Sequence, residues 1–131
     1  MIVMDTCAIV WNALQPEMMS AKASAAVKHA NNTDGMYICD ISFWEISMLI
    51  KKGRINPGCD YSTFMDTVLN AHKYIVAQIT PAIAELANYL PPTINKDPAD
   101  RIIVATAISY HAPLITGDSN LNTSPLIPSI W

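Results

Sequence analysis

The stretch Ile2-Val3-Met4-Asp5-Thr6-Cys7-Ala8-Ile9-Val10-Trp11 decides the fold. The short apolar run Ile2–Met4 reads as a buried strand that meets an acid, and Thr6–Leu14 reads as a helix following directly on it. A buried strand with a helix starting at its end is the unit of parallel sheets, whose strands are covered on both faces and need no polar alternation. The unit recurs down the chain. Met36–Cys39 predicts a second buried strand, followed by a helix from about Ser42 to Lys52 that stops at Gly53. Tyr74–Ile79, Leu114–Thr116 and Leu126–Ile130 predict three more strands. Further helices are predicted over Ser20–Ala30 with Ser20 as N-cap, Tyr61–Ala71, Pro81–Leu90 and Pro98–His111. This pattern makes an α/β fold, a parallel sheet sandwiched between helices and joined by right-handed crossovers. Ligands of such sheets collect beyond the carboxyl ends of the strands, where strand order reverses. Asp5 and Asp118 fall at that end.

The 131 residues make one domain spanning residues 1–131. With 51% apolar and 15% charged residues, the chain has the makings of a packed core, and disorder is excluded. Eleven acids against eight bases give −3, which argues against holding nucleic acid mainly by a broad basic surface. Cys7, Cys39 and Cys59 form no CxxC pair, and His29, His72 and His111 are isolated, so neither a disulfide framework nor a zinc site is expected. No basic region precedes the apolar start, and no apolar run reaches the ~18–20 residues of a membrane span. The expectation is a reduced, soluble, cytoplasmic domain.

Four carboxylates, Asp5, Glu45, Asp100 and Asp118, sit beside or inside the most apolar stretches. Each has an ordinary structural use. Asp5 can cap a helix, and Asp118 lies in Thr116-Gly117-Asp118-Ser119-Asn120, a turn composition. Ser42-x-x-Glu45 reads as a capping box, with Ile41 and Ile46 spaced for a hydrophobic staple. Asp97-Pro98-Ala99-Asp100 reads as a helix start, with Asp97 as the cap. Together, however, the acids pose a charge problem. Asp100 shares a stripe with Ile103, Val104, Ala107 and Ile108, and Glu45 with Ile41, Met48 and Leu49. Burying ionised carboxylates without a counter-charge is costly. Arg101 is adjacent to Asp100 but projects to another side of the helix. A divalent cation held by oxygens from separate elements resolves the cost. An all-oxygen set favours Mg²⁺ or Mn²⁺ over Zn²⁺. Such an ion can activate water and neutralise phosphoryl charge, so an acidic chain can act on a polyanion.

These residues resemble the PIN-domain nuclease family, and within it the VapC-type toxins of toxin–antitoxin pairs. The resemblance covers nearly the whole chain. It starts with Ile2-Val3-Met4-Asp5-Thr6 and continues through Ile41-Ser42-Phe43-Trp44-Glu45-Ile46, with Gly53 at the usual distance. Lys96-Asp97-Pro98-Ala99-Asp100-Arg101-Ile102-Ile103-Val104-Ala105-Thr106-Ala107 is similar to the family's most specific stretch, and Leu114-Ile115-Thr116-Gly117-Asp118 and Trp131 complete it. The resemblance implies a single PIN-like domain with a five-stranded, mostly parallel sheet. It implies an endoribonuclease in which Asp5, Glu45, Asp100 and Asp118 bind Mg²⁺ or Mn²⁺. Thr116 then matches the small hydroxyl residue beside the last acid, and Asp97 a cap that assists from behind. It also implies an RNA substrate, a small antitoxin that blocks the site, and a homodimer. Met18, Met19, Met48 and Met65 could supply apolar surface for partners, while Trp44 is expected in the core. Asn95 stands where relatives often have His, and Leu49 where many carry a basic residue.

Other classes fit less well. A phosphatase with an Asp nucleophile needs a second Asp two residues after Asp5, where Cys7 stands. A receiver domain needs early paired acids and a late strand-end Lys. The glycines at 35, 53, 58 and 117 form no dinucleotide-binding motif. The alternative within the same fold is a catalytically silent PIN-like module that binds RNA or protein. Lys51, Lys52 and Arg54, the only basic cluster, read as charges at a helix C-terminus, with phosphate contact as the other use.

Overall fold

A computed structural model describes all 131 residues, Met1–Trp131. Strands β1 (Ile2–Met4), β2 (Met36–Cys39), β3 (Tyr74–Ala77), β4 (Leu114–Ile115) and β5 (Ser129–Ile130) form one sheet in the order β3-β2-β1-β4-β5. Every neighbouring pair is parallel. Seven helices connect them: α1 (Thr6–Leu14), α2 (Ala21–Asn31), α3 (Asp40–Lys51), α4 (Tyr61–Ala71), α5 (Pro81–Tyr89), α6 (Pro98–Ser109) and α7 (Ser119–Asn122).

Alternation along β1 divides the core in two. Ile2 and Met4 pack with Ile9, Val27, Ile46, Phe64 and Val68 under α1 to α4. Val3 packs on the other face with Leu114, Ile103, Val104 and Leu121, beneath α6 and α7. The inner strands are buried on both sides, which is why their sequences carry no polar alternation. Edge strand β3 differs, leaving Ile75 and Val76 exposed. No helix is long and apolar enough to cross a membrane.

Helix starts follow local chemistry. Ser20 accepts from the Ala23 amide at 3.1 Å, Asp60 from Thr63 at 2.8 Å, Thr80 from Ile83 at 3.2 Å and Asp97 from Ala99 at 2.9 Å. Helix α3 departs from expectation. It leaves β2 without a loop and starts at Asp40, so Ser42 and Glu45 lie inside it and no capping box or staple forms. The Asp40 side chain instead accepts from the Ile79 amide at 3.1 Å, tying α3 to the end of β3. The third, fourth and fifth strands are shorter than predicted, and α6 stops at Ser109, two residues early, with His111 in the left-handed region at φ 51°. A 3₁₀ turn over Pro16–Met18 was not predicted, and the predicted turn at Asp118 continues into α7. Trp44 is 61% exposed, not core: α3 buries Ser42 and Ile46, and helical spacing turns the indole outward.

Gly35 enters β2 at φ +93°, where an added Cβ would stand 2.5 Å from the Lys73 carbonyl oxygen. That carbonyl accepts from the Met36 amide at 3.0 Å, so it cannot simply move aside. Gly35→Ala is expected to cost about 2 kcal/mol or more, read as a lower urea midpoint at unchanged slope.

Candidate active site

The switch in strand order lies between β1 and β4. The chain leaves β1 towards β2 on one side, and β4 returns to β1's other side. The register pairs Met4 with Ile115, which brings Asp5 and Thr116 together at the carboxyl edge. Thr116 donates its hydroxyl to Asp5 Oδ2 at 2.7 Å, and the Thr6 amide donates to Asp5 Oδ1 at 2.8 Å. Asp5 is 6% exposed and Thr116 fully buried. Burial pushes the Asp5 carboxyl up to about 6, with Glu45 and Asp118 adding to the rise and the two hydrogen bonds opposing it.

Thr6 then reaches across to α3. Its hydroxyl donates to Glu45 Oε1 at 2.5 Å and lies 2.9 Å from Ser42 Oγ. Because the Thr6 proton is spent on Glu45, Ser42 is the donor in the second contact. Glu45 is half-buried and its carboxyl is raised by burial, then, against the Thr6 bond, by Asp100 and Asp97.

Asp100 stands in the first turn of α6. Burial first, then Asp5, pushes it up to about 6, opposed by a 3.0 Å bond from Asn95 Nδ2. Asn95 is in turn bound at its backbone amide by Asn120 Oδ1 at 2.9 Å, and Asn120 Nδ2 donates to the Thr93 carbonyl at 2.9 Å. These bonds join the loop before α6 to α7. Asp118 sits on that side of the cleft. Its Oδ1 caps α7 by accepting from Asn120 and Leu121 amides at 2.8 and 3.3 Å, and its own amide donates to Thr116 Oγ1 at 3.1 Å. Trp131 and Trp11 close over the same loop, their ring centroids 5.5 Å apart. A Cβ on Gly117 would stand 2.9 Å from Trp131 Cε2 and 3.1 Å from Trp11 Cζ3, so only Gly fits under the pair.

Five of the residues anticipated from sequence, Asp5, Glu45, Asp100, Thr116 and Asp118, thus come from four segments of the chain to one end of the sheet. Asp97 caps α6, as expected, close enough to raise its acidic neighbours. Thr6, Ser42, Asn95 and Asn120 were not anticipated as the groups that orient the acids. Ser42 was legible only as a false capping box, and the role of Asn120 depends on α7.

No cation acts on the carboxylates. Burial, hydrogen bonds and other acids account for the shifts of Asp5, Glu45 and Asp100. Arg101 turns away, donating to the carbonyls of Ala87 at 2.9 Å, Ile94 at 3.0 Å and Leu90 at 2.5 Å. Cys7, in the first turn of α1, feels the same field: burial and the four acids push its thiol up to about 11, leaving it protonated at neutral pH. No three His, Cys or acidic side chains are arranged as a ready cage for an ion. Each acid is tied to a local donor instead. The donor set is carboxylate and hydroxyl oxygen, the chemistry of Mg²⁺ or Mn²⁺, and Mg²⁺ keeps several waters and needs only one or two carboxylates. The residues therefore fit such an ion.

A family model described as "PIN domain" matches residues 2–123. The chain is 30% identical over 132 aligned positions to Ribonuclease VapC22 of Mycobacterium tuberculosis, covering 99% of this chain and 98% of that protein. Among solved structures, VapBC2 from Rickettsia felis bound to a DNA fragment from its promoter matches with a TM-score of 0.74 at 15% identity, over 98% of this chain and 97% of that one. A toxin–antitoxin complex from Klebsiella pneumoniae matches at 0.64 and 21% identity, over 96% and 94% of the two chains. FitAB bound to an IR36 DNA fragment matches at 0.67 and 14%, over 98% and 93%.

Proposed function

The chain belongs to the PIN-domain family, and on that premise we propose that it is a metal-dependent endoribonuclease, the toxin of a toxin–antitoxin pair. Its likeness to Ribonuclease VapC22 over almost the full length of both chains supports ribonuclease chemistry. The observation that carries the reading is the meeting of Asp5, Glu45, Asp100 and Asp118 at the strand-order switch, coupled to one another with no compensating cation.

These four carboxylates would hold Mg²⁺ or Mn²⁺. When bound, the ion supplies the positive charge that activates water and offsets the charge gained by a phosphodiester under attack. The chain's own residues prepare that site. Thr116 and the Thr6 amide fix both oxygens of Asp5, so its carboxylate cannot rotate. The Thr6 hydroxyl, supported by Ser42, fixes Glu45 across the cleft. Asn95 fixes Asp100 through its side-chain amide. Orienting ligands from behind in this way is what keeps a metal site selective and active. RNA is the substrate in this reading and a small antitoxin is the inhibitory partner, in keeping with the toxin–antitoxin complexes among the structural neighbours. The toxin itself pairs as a homodimer.

Purified protein incubated with structured RNAs is expected to cleave with Mg²⁺ or Mn²⁺ and to stop with chelator. Glu45→Gln and Asp100→Asn should each lower cleavage by on the order of a hundredfold or more, since losing even an outer partner of a metal site costs 10- to about 100-fold. Cleavage that ignores chelator, or that both variants retain, would overturn the mechanism.

A further inference from the structure

We propose that the outer face of α3 carrying Trp44, Ser47, Met48, Lys51 and Lys52 is a docking strip for single-stranded RNA. Trp44 is its base-stacking platform, and the two lysines contact phosphates. The proposal rests on the ribonuclease reading and adds where, and in what form, the substrate is held.

The five residues follow one another at helical spacing and line one open recess of about 440 Å³. Trp44 presents 61% of its surface to solvent, among the largest exposures of any apolar residue in the chain. Register forces that exposure, because Ser42 and Ile46 of the same helix are fully buried on the inner side. A bare indole flanked on one helix face by two ammonium groups matches the chemistry of single strands: a base stacks on the ring while its phosphates meet the cations, without regard to sequence. Duplex RNA offers no such base, since its bases are already stacked and paired inside an A-form helix. Protein partners suit the strip less well, because a dry interface here would desolvate Lys51 and Lys52.

Position ties the strip to the cleft. Trp44 and Glu45 are consecutive on α3, their side chains about 100° apart around the helix, so the same helix that turns Glu45 inward to Thr6 carries the strip on its outer face. In a chain of net charge −3, this strip also contains two of the three members of the only basic cluster. It lets the protein guide a polyanion to a cleft that would otherwise repel it.

The test measures fluorescence anisotropy of labelled oligoadenylate and of a labelled RNA duplex, in chelator and in an Asp5→Asn background so that RNA stays intact. Trp44→Ala is expected to weaken oligoadenylate binding by about tenfold or more, while Trp44→Phe keeps most of the affinity and duplex binding does not change. Lys51→Ala combined with Lys52→Ala should flatten the salt dependence of oligoadenylate binding, with a slope smaller by roughly one unit. Oligoadenylate affinity that ignores Trp44→Ala would overturn the proposal. So would a change of sedimentation behaviour in Trp44→Ala with RNA affinity intact, which would mark the strip as a contact between copies. Because binding is read without metal, failure of the wild type to cleave any RNA would count against the ribonuclease reading alone.

Discussion

Asp5→Asn is expected to abolish RNA cleavage and, at the same time, to raise the melting temperature at neutral and alkaline pH. The first effect follows from removing the most buried of the four acids. The second follows from its titration. The Asp5 carboxyl sits at about 6 in the folded chain against 3.8 for the ordinary group, so the folded state holds the proton more tightly than the unfolded state. Stability is then full below pH about 4, falls as the pH rises towards 6, and stays reduced above it, by roughly 3 kcal/mol for a shift of this size. Asparagine removes that penalty. Its carbonyl oxygen can still accept from the Thr6 amide, which preserves the start of α1. The variant should therefore melt several degrees above wild type at pH 8 and match it at pH 4. Asp100 shifts in the same direction, but it is more open to water and adds less. Adding Mg²⁺ or Mn²⁺ should raise the wild-type melting temperature at pH 8 and leave Asp5→Asn nearly unmoved. An Asp5→Asn protein that melts below wild type at pH 8 would show that burying the Asp5 charge carries no such penalty.

The second large effect concerns Arg101, which makes no ion pair with Asp100 beside it. Its guanidinium instead gathers the chain between α5 and α6, with Nε on the Ala87 carbonyl, Nη2 on Leu90, and Nη1 on Ile94 and, at 3.3 Å, on Asn95. Carbonyls left without a donor in a half-buried loop cost about 1–3 kcal/mol apiece, so Arg101→Ala should lose on the order of 3 kcal/mol in urea titrations. Arg101→Lys should recover little, because an ammonium is a point charge and cannot fork between several acceptors. The same loop delivers Asn95 to Asp100. Both variants should therefore lose activity beyond what their remaining folded fraction explains. Full rescue by lysine would show that charge, and not the planar fork, holds the loop.

Most of the architecture was legible in the order of residues. Ile2–Met4, Met36–Cys39, Thr6–Leu14 and Tyr61–Ala71 have the predicted limits, because apolar patterning and flanking breakers agree there. Ser42 and Glu45 misled. Spacing alone makes them a capping box, but β2 runs directly into Asp40, and a capping box requires a helix that starts later. Trp44 misled in another way, since apolar character is weak guidance to burial when the helix register already assigns the inner face to Ser42 and Ile46. The four acids stand out in the sequence as a set because capping and turn roles, ordinary for each one singly, leave their shared burial cost unanswered. What holds them was not legible. Thr6 to Glu45, and Asn95 to Asp100 and Asn120, are bonds between elements that only tertiary packing brings together.

The bond from Thr116 to Asp5 joins residues 111 positions apart, and it forms only when β4 slots in beside β1. Contacts that distant in sequence are slow to form, since a long loop must close before they repay its entropy. A chain emerging from the ribosome therefore carries Glu45 with its partners Thr6 and Ser42 long before it carries Thr116, the partner of Asp5. Until Thr116 and Asp118 arrive, the half-made cleft lacks one wall. The order of synthesis thus leaves the acidic cleft unfinished until residue 118 has been added and β4 has docked beside β1.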